Sequence, residues 1–226
     1  MKTTVIASLV LGIAAISSAQ YTSSSKDSQN HFRWSERTAH ELDYGHTIRT
    51  AADLTPTERQ ALLDAVLVQL RRSSIRDELM FEGITEGQLQ RLAAKTRIEF
   101  VDLNGNGSRE VMAQANGLGP CGATGNCLIW VFQMAPDGIR LLLDSGAREG
   151  AFEMVTVRPW STNGFRDIVL GTHDSASDRT LVWYKYANGG YRRSSCYNST
   201  QMSYGQPLKN PDISLSKCKD LFRPSH

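Results

Sequence analysis

The sequence lacks the short motifs that announce most hydrolytic machineries. No G-x-S-x-G elbow and no H-E-x-x-H pair occurs, which removes the strained nucleophile turn and the helical zinc site. It also lacks a block of like charge. Lys and Arg number 25 against 23 Asp and Glu, a formal net charge of +2. The basic doublets Arg71-Arg72 and Arg192-Arg193 stand alone, so nothing tracks a phosphate backbone and nucleic acid is not an expected partner. No apolar run reaches the roughly 20 residues that a helix needs to cross a hydrocarbon core. Zinc is disfavoured as well, because Cys121 and Cys127 are spaced more widely than a zinc knuckle and have no His nearby.

The chain begins with the pattern of an export signal. Lys2 is the only charge before Lys26, Val5 to Ile16 is apolar and small, and Ser17-Ser18-Ala19 offers small side chains for cleavage. Residues 1–19 therefore read as a signal peptide cut near Ala19-Gln20, and the mature protein as secreted or periplasmic, with no permanent membrane span. There are 4 cysteines, an even number, and in an oxidising compartment they point to two disulfides. The glycine-rich run between Cys121 and Cys127 lets these two pair with each other, leaving Cys196 with Cys218, one of the three connectivities that four cysteines permit.

Residues 20–53, rich in Ser, Asp, His, Arg and Thr, read as a polar tail or linker. Thr55-Pro56-Thr57-Glu58 is a capping box, and Leu62, Leu63, Val66, Leu67 and Leu70 then recur at helical spacing. Thr85-Glu86-Gly87-Gln88 opens a second, shorter helix, so 54–95 is helical. From residue 96 onward short apolar runs alternate with Gly, Asn and Asp, as in a β-meander. Three landmarks recur in the same order: Asn106-Gly107-Ser108-Arg109-Glu110-Val111 as Asn163-Gly164-Phe165-Arg166-Asp167-Ile168, Leu128-Ile129-Trp130-Val131 as Leu181-Val182-Trp183-Tyr184, and Gly138-Ile139-Arg140 as Gly190-Tyr191-Arg192. This is an internal duplication. The first copy, 96–149, predicts strands at Arg97–Leu103, Glu110–Gln114, Leu128–Met134 and Ile139–Asp144. The second, 150–197, predicts Phe152–Arg158, Asp167–Gly171, Leu181–Tyr186 and Tyr191–Cys196. The expected fold is α+β, two helices followed by two duplicated four-stranded antiparallel meanders arranged as a blade-like pair or a sandwich. Residues 198–226 form a C-terminal tail tied by a disulfide, and 54–226 make one globular domain.

One segment has the spacing of metal ligands. Asp102, Asn104, Asn106, Ser108 and Glu110 place oxygen atoms along a loop whose sixth position is Gly107, so Ca²⁺ is the ion it suits. Position twelve of an EF-hand would be Ala113, so the segment is not one. It resembles instead the D-x-[DN]-x-[DN]-G-x-x-[DE] hairpin loops of FG-GAP and VCBS-type repeats, which implies an ion held between two strands of a blade; the Phe-Gly…Gly-Ala-Pro part of that pattern is missing. With the Cys-Gly-Ala-Thr-Gly-Asn-Cys run, the loop also resembles a family of secreted bacterial proteins, a resemblance that implies no activity. A plain turn explains the same residues, since Asn and Gly accept positive φ and Asp caps amides. The second copy keeps its turn without the upstream Asp.

Other groups are weighed in the same way. His173, Asp174 and Ser175 are consecutive and cannot converge as a triad from a strand. His31, His40 and His46 fall in the expected tail. Trp130 and Trp183 are either a duplicated core aromatic or a pair of exposed platforms for sugar or peptide. Arg109 and Arg166 are paired by the repeat and expected near carboxylates or an anion. Asn106-Gly107-Ser108 and Asn198-Ser199-Thr200 match a glycosylation sequon. The leading expectation is a non-catalytic exported module that binds a macromolecule or glycan outside the cytoplasm, or supports the envelope, with Ca²⁺ as a stabiliser. The alternative is a secreted or periplasmic hydrolase using Asp102, Glu110 and Asp167 between the sheets.

Overall fold

The computed structural model describes residues 32–33, 40–42, 44–72, 84–117, 120–135, 137–146, 151–175, 178–200, 212–213 and 215–218. The signal segment 1–19 and His31 lie outside them. Among the described residues the chain is mostly β, two antiparallel sheets with two helices. Helix α1 spans Pro56–Arg72. Its start is set by Thr55, whose backbone N–H donates to Glu58 Oε2 at 2.8 Å while Thr55 Oγ1 accepts from Glu58 N–H at 3.2 Å. Helix α2, Glu86–Lys95, opens on the same reciprocal arrangement between Thr85 and Gln88. Each box satisfies amides that the first helical turn otherwise leaves unpaired.

The strands are β1 (Phe32–Arg33), β2 (His40–Glu41), β3 (His46–Thr47), β4 (Arg97–Val101), β5 (Glu110–Gln114), β6 (Ile129–Ala135), β7 (Gly138–Asp144), β8 (Met154–Thr162), β9 (Phe165–Gly171), β10 (Asp178–Ala187), β11 (Gly190–Thr200), β12 (Asp212–Ile213) and β13 (Leu215–Lys217). A five-stranded sheet runs β3-β4-β5-β6-β7 and a six-stranded one β13-β11-β10-β9-β8-β2, with β1 and β12 pairing separately. Each larger sheet is thus a four-strand meander with short strands added at its edges. The last hairpins of the two meanders share a detail. Ala135 pairs Gly138 and Ala187 pairs Gly190 around the turn, and each ladder then skips one residue of its second strand, Leu142 or Ser194.

One apolar cluster lies between the two sheets, with Met112, Ile129 and Val131 from one and Val155, Val157, Ile168, Leu170 and Val182 from the other. A second joins Leu62, Val66 and Leu70 of α1 to Ile98, Val111, Ala113, Trp130 and Phe132. The five-stranded sheet is therefore covered on both faces, and every residue of β5 is buried. This explains why Val111–Ala113 of β5 and Ile129–Phe132 of β6 are apolar without alternation. Each large side chain so buried contributes roughly 1.5–3 kcal/mol of transfer free energy.

Two expectations need correction. Residues 40–42 and 44–53 are not a tail. β2 pairs with β8 and β3 with β4, while Leu42, Ile48, Ala51 and Leu54 are buried in the two clusters. The hold comes from Arg59 on α1, whose guanidinium donates to the carbonyls of Ile48, Arg49 (2.8 Å), Ala51 (2.7 Å) and Leu54 (3.3 Å). A single cation thus closes a segment whose few aliphatic residues would otherwise order it weakly. The second correction concerns strand ends. β8 runs on past Arg158 to Thr162, and β9 starts at Phe165. Asn163 (φ 51°) and Gly164 (φ 82°) make the two-residue turn whose positive φ angles match strand twist. The first copy has no such turn. There the loop 102–109 joins β4 to β5, so Asn106-Gly107 and Asn163-Gly164 sit in different backbone settings.

Candidate functional site

The loop 102–109 meets its own hydrogen-bonding needs. Asp102 Oδ1 accepts from Gly105 N–H at 2.7 Å and Oδ2 from Gly107 N–H at 3.0 Å. Asn104 Oδ1 accepts from Asn106 N–H (3.0 Å) and Asn106 Oδ1 from Ser108 N–H (2.7 Å) and its hydroxyl. Glu110 turns inward, accepting from Leu103 N–H at 2.8 Å, Asn104 Nδ2 at 2.8 Å and Gln133 Nε2 at 3.1 Å. Asn104 therefore presents a donor, not an oxygen, to Glu110. Among the described residues no group of three or more His, Cys, Asp or Glu is placed to hold a metal. Asp102, Asn104, Asn106 and Ser108 share the loop, Glu110 opens β5, and their contacts are those of a capped turn.

Glu110 and Asp167 both reach the interior, with relative exposures of 0% and 1%. Burial is the main influence on Glu110 and pushes its carboxyl above the ordinary range, against the pull of the Leu103 amide. Both carboxylates bear on Tyr191, whose phenol burial raises strongly, and Tyr191 Oη donates to Arg166 O at 2.7 Å. Asp102 stays on the exposed loop. The three carboxylates weighed for hydrolysis are thus split, one capping amides outside and two inside. Arg109 and Arg166 make different contacts. The Arg109 guanidinium lies over the Phe100 ring at 4.6 Å, with Asp53 at 4.0 Å, whereas Arg166 has an exposed side chain and its N–H donates to Leu103 O at 2.7 Å.

Both disulfides pair the cysteines as the spacing indicates, Cys121 with Cys127 and Cys196 with Cys218. Such bonds form in oxidising compartments. No described helix is long and apolar enough to cross a membrane. The small ring closed by Cys121 and Cys127 is anchored by Asn126. Its Nδ2 donates to His173 O at 3.0 Å and its Oδ1 accepts from His173 N–H at 2.8 Å. Asp174 accepts instead from the hydroxyls of Thr172 and Thr180, at 2.6 and 2.7 Å. His173 and Asp174 serve loop closure.

Trp130 and Trp183 both turn away from the core between the sheets, but neither is a platform. Trp130 is 0% and Trp183 7% exposed. Trp130 lies under the helices and donates from Nε1 to Asp144 Oδ1 at 3.1 Å, while Trp183 packs edge-on against Tyr197. Burial on both counts leaves no ring face for a ligand.

The exposed ring belongs to Trp160. It is the one large apolar side chain described as exposed, at 47%. Its position follows from the backbone of β8. Val157 pairs Ile168 and Ser161 pairs Arg166, so Arg158, Pro159 and Trp160 all fall opposite Asp167. Pro159 has no N–H for the ladder, and a bulge accommodates it while re-aiming its neighbours. Arg158 is turned inward, 2% exposed, and its guanidinium lies 4.2 Å from the Trp160 ring centroid. Burial draws the Arg158 pKa down and the Asp167 carboxylate opposes this. A desolvated cation on a ring contributes about 2 kcal/mol, enough to hold one face of Trp160 in place while the other meets solvent. The sequence carried one signal for this site, the Pro159-Trp160 pair within an apolar strand.

No family model matches this chain, and no curated protein or solved structure matches it.

Proposed function

We propose that this chain is an exported, non-catalytic binding module that contacts a macromolecule or glycan through the β8–β9 hairpin, with Trp160 as anchor. The observation that carries the reading is a half-exposed tryptophan whose orientation is fixed from below by Arg158. Trp and Arg dominate the energetic centres of interfaces, and an immobilised ring loses little conformational entropy on contact. The hairpin residues 159–161, 163, 164 and 166 are all exposed, so a partner has access from the tip. Export rests on the signal pattern of residues 1–19 and agrees with the two disulfides. The two meanders are read as copies of one unit, a sandwich rather than separate blades, and their shared skipped residue supports this. The loop 102–109 acts here as a structural turn, and its FG-GAP-like spacing reflects turn chemistry.

The test is to probe the full chain and its Trp160→Ala variant on a glycan array and against the proteins of the culture medium. Binding that weakens about tenfold or more in the variant, with unchanged melting temperature, supports the reading. Partners bound equally well by both proteins would overturn it. Sequencing the exported protein's N-terminus checks the address, Gln20 being the expected first residue.

A further inference from the structure

The six-stranded sheet has two unlike faces. Ile168, Val182 and Tyr184 turn towards the other sheet, whereas Met154, Val169, Leu181 and Trp183 form a separate cluster on the opposite face. Side chains alternate along a strand, so the end of this second face nearest the hairpins carries Arg158 of β8, Asp167 of β9 and Lys185 of β10. Arg192 of β11 is the register partner of Lys185 and shares its face. Trp160 joins the row at the β8 end, its ring centroid 4.2 Å from the Arg158 guanidinium. Lys185 stands two strands over from Trp160, roughly 10 Å by strand spacing, and Arg192 one strand further.

The row is positive where it meets solvent. Asp167 is buried and acts on Arg158. Lys185 and Arg192 are exposed, and among the described residues neither is in an ion pair; Arg192 Nη1 donates to the adjacent Tyr191 carbonyl at 3.3 Å. An anion therefore complements this surface. The setting of the ring narrows the choice. Its exposed neighbours on the hairpin include Ser161, Asn163 and Arg166, and no second large apolar side chain is described as exposed. Protein–protein interfaces have an apolar core, which a lone ring among polar groups does not supply. A sugar suits it, because its C–H face stacks on the amphipathic indole while its hydroxyls meet the polar neighbours.

We propose that this end of the six-stranded sheet binds an acidic polysaccharide, one sugar stacked on the free face of Trp160 and carboxylates or sulfates further along the glycan set on Lys185 and Arg192. The inference rests on the Trp160 anchor argued above and adds the chemistry that the anchor selects. A glycan laid across the strands engages ring and cations together, and the cations fix which glycans are held.

The experiment is isothermal titration of the full chain with hexagalacturonate and, separately, with a heparin hexasaccharide. At least one should bind saturably, more weakly as salt rises, and about tenfold more weakly to Lys185→Glu/Arg192→Glu and to Trp160→Ala. Both cations are exposed, and an unchanged melting temperature shows that the double variant is folded; should it melt early, Lys185→Gln alone gives the same direction with smaller size. The uncharged counterparts, esterified hexagalacturonate and desulfated, carboxyl-reduced heparin, should bind about tenfold more weakly than the acids. The inference is overturned if neither acidic glycan saturates, if the uncharged forms bind as well, or if hexaglutamate binds as tightly, which would make the surface a dock for acidic protein. Weakening in Trp160→Ala with none in the cation variants also overturns it, and leaves the tryptophan anchor standing.

Discussion

Replacing Arg59 by Leu keeps an apolar stem on α1 and removes the guanidinium that gathers the carbonyls of Ile48, Arg49, Ala51 and Leu54. Hydrogen bonds to a charged group contribute about 1.5–3 kcal/mol when buried. Here the bonds to Ile48, Ala51 and Leu54 are part-buried and that to Arg49 is exposed, and the released carbonyls are partly rehydrated, so the loss should total roughly 3 kcal/mol rather than the full sum. For a chain of this size each kcal/mol moves the melting temperature about 2–4 °C, giving an expected drop of roughly 6–12 °C. Urea unfolding followed by tryptophan fluorescence measures the free energy. Trypsin offers a local readout, because Arg49 is exposed and cleavage there tracks opening of the clasped segment. Arg59→Lys should recover only part of the loss, since an ammonium cannot fork among several carbonyls. A change in Arg59→Leu below about 0.5 kcal/mol, with trypsin cutting at the wild-type rate, would show that the segment holds without its clasp.

Glu110→Gln bears on pH. Because burial holds the Glu110 pKa above its unfolded value, the folded state takes up the proton first. Its contribution is full below about pH 4.3 and is lost as pH rises through the folded pKa. The stability of wild type relative to Glu110→Gln should therefore grow as pH falls towards the ordinary carboxylate range; urea titrations at each pH that run parallel would refute this. Gly190→Val forces a side chain towards the Leu142 carbonyl and should cost about 1–3 kcal/mol in the same assay. Asp102→Ala removes the acceptor for the Gly105 and Gly107 amides, an expected loss of about 1–2 kcal/mol by analogy with helix caps. Calcium chloride should leave the wild-type melting temperature unchanged; a rise in wild type but not in Asp102→Ala would show an ion competing with those amides.

What could be read from the sequence was what local chemistry determines. Thr55-Glu58 and Thr85-Gln88 mark helix starts because a cap is made by residues three apart. The cysteine pairing was accessible because the glycine-rich run between Cys121 and Cys127 is able to close on itself. The residues 40–53 were not accessible, since Leu42, Ile48, Ala51 and Leu54 follow no period and are ordered by a distant arginine. The end of β8 was hidden for a related reason. A proline in a strand normally signals its end, and only the pairing with Asp167 shows that it marks a bulge. Trp160 was overlooked because tryptophans flanked by aliphatic residues, such as Trp130 and Trp183, draw attention first. Those two fill the interior.

The short strands β2 and β3 lie close together in sequence yet join different sheets, β2 at the edge of the six-stranded one and β3 at the edge of the five-stranded one. They act as a stitch made early in synthesis that cannot be tightened until late, since the β2 partners Thr156 and Val157 emerge roughly a hundred residues afterwards, a separation that slows closure. The five-stranded sheet has all its strands by Asp144, whereas β2 must wait for β8. With this connectivity the β2 edge stays unpaired until well past the middle of the chain has been made.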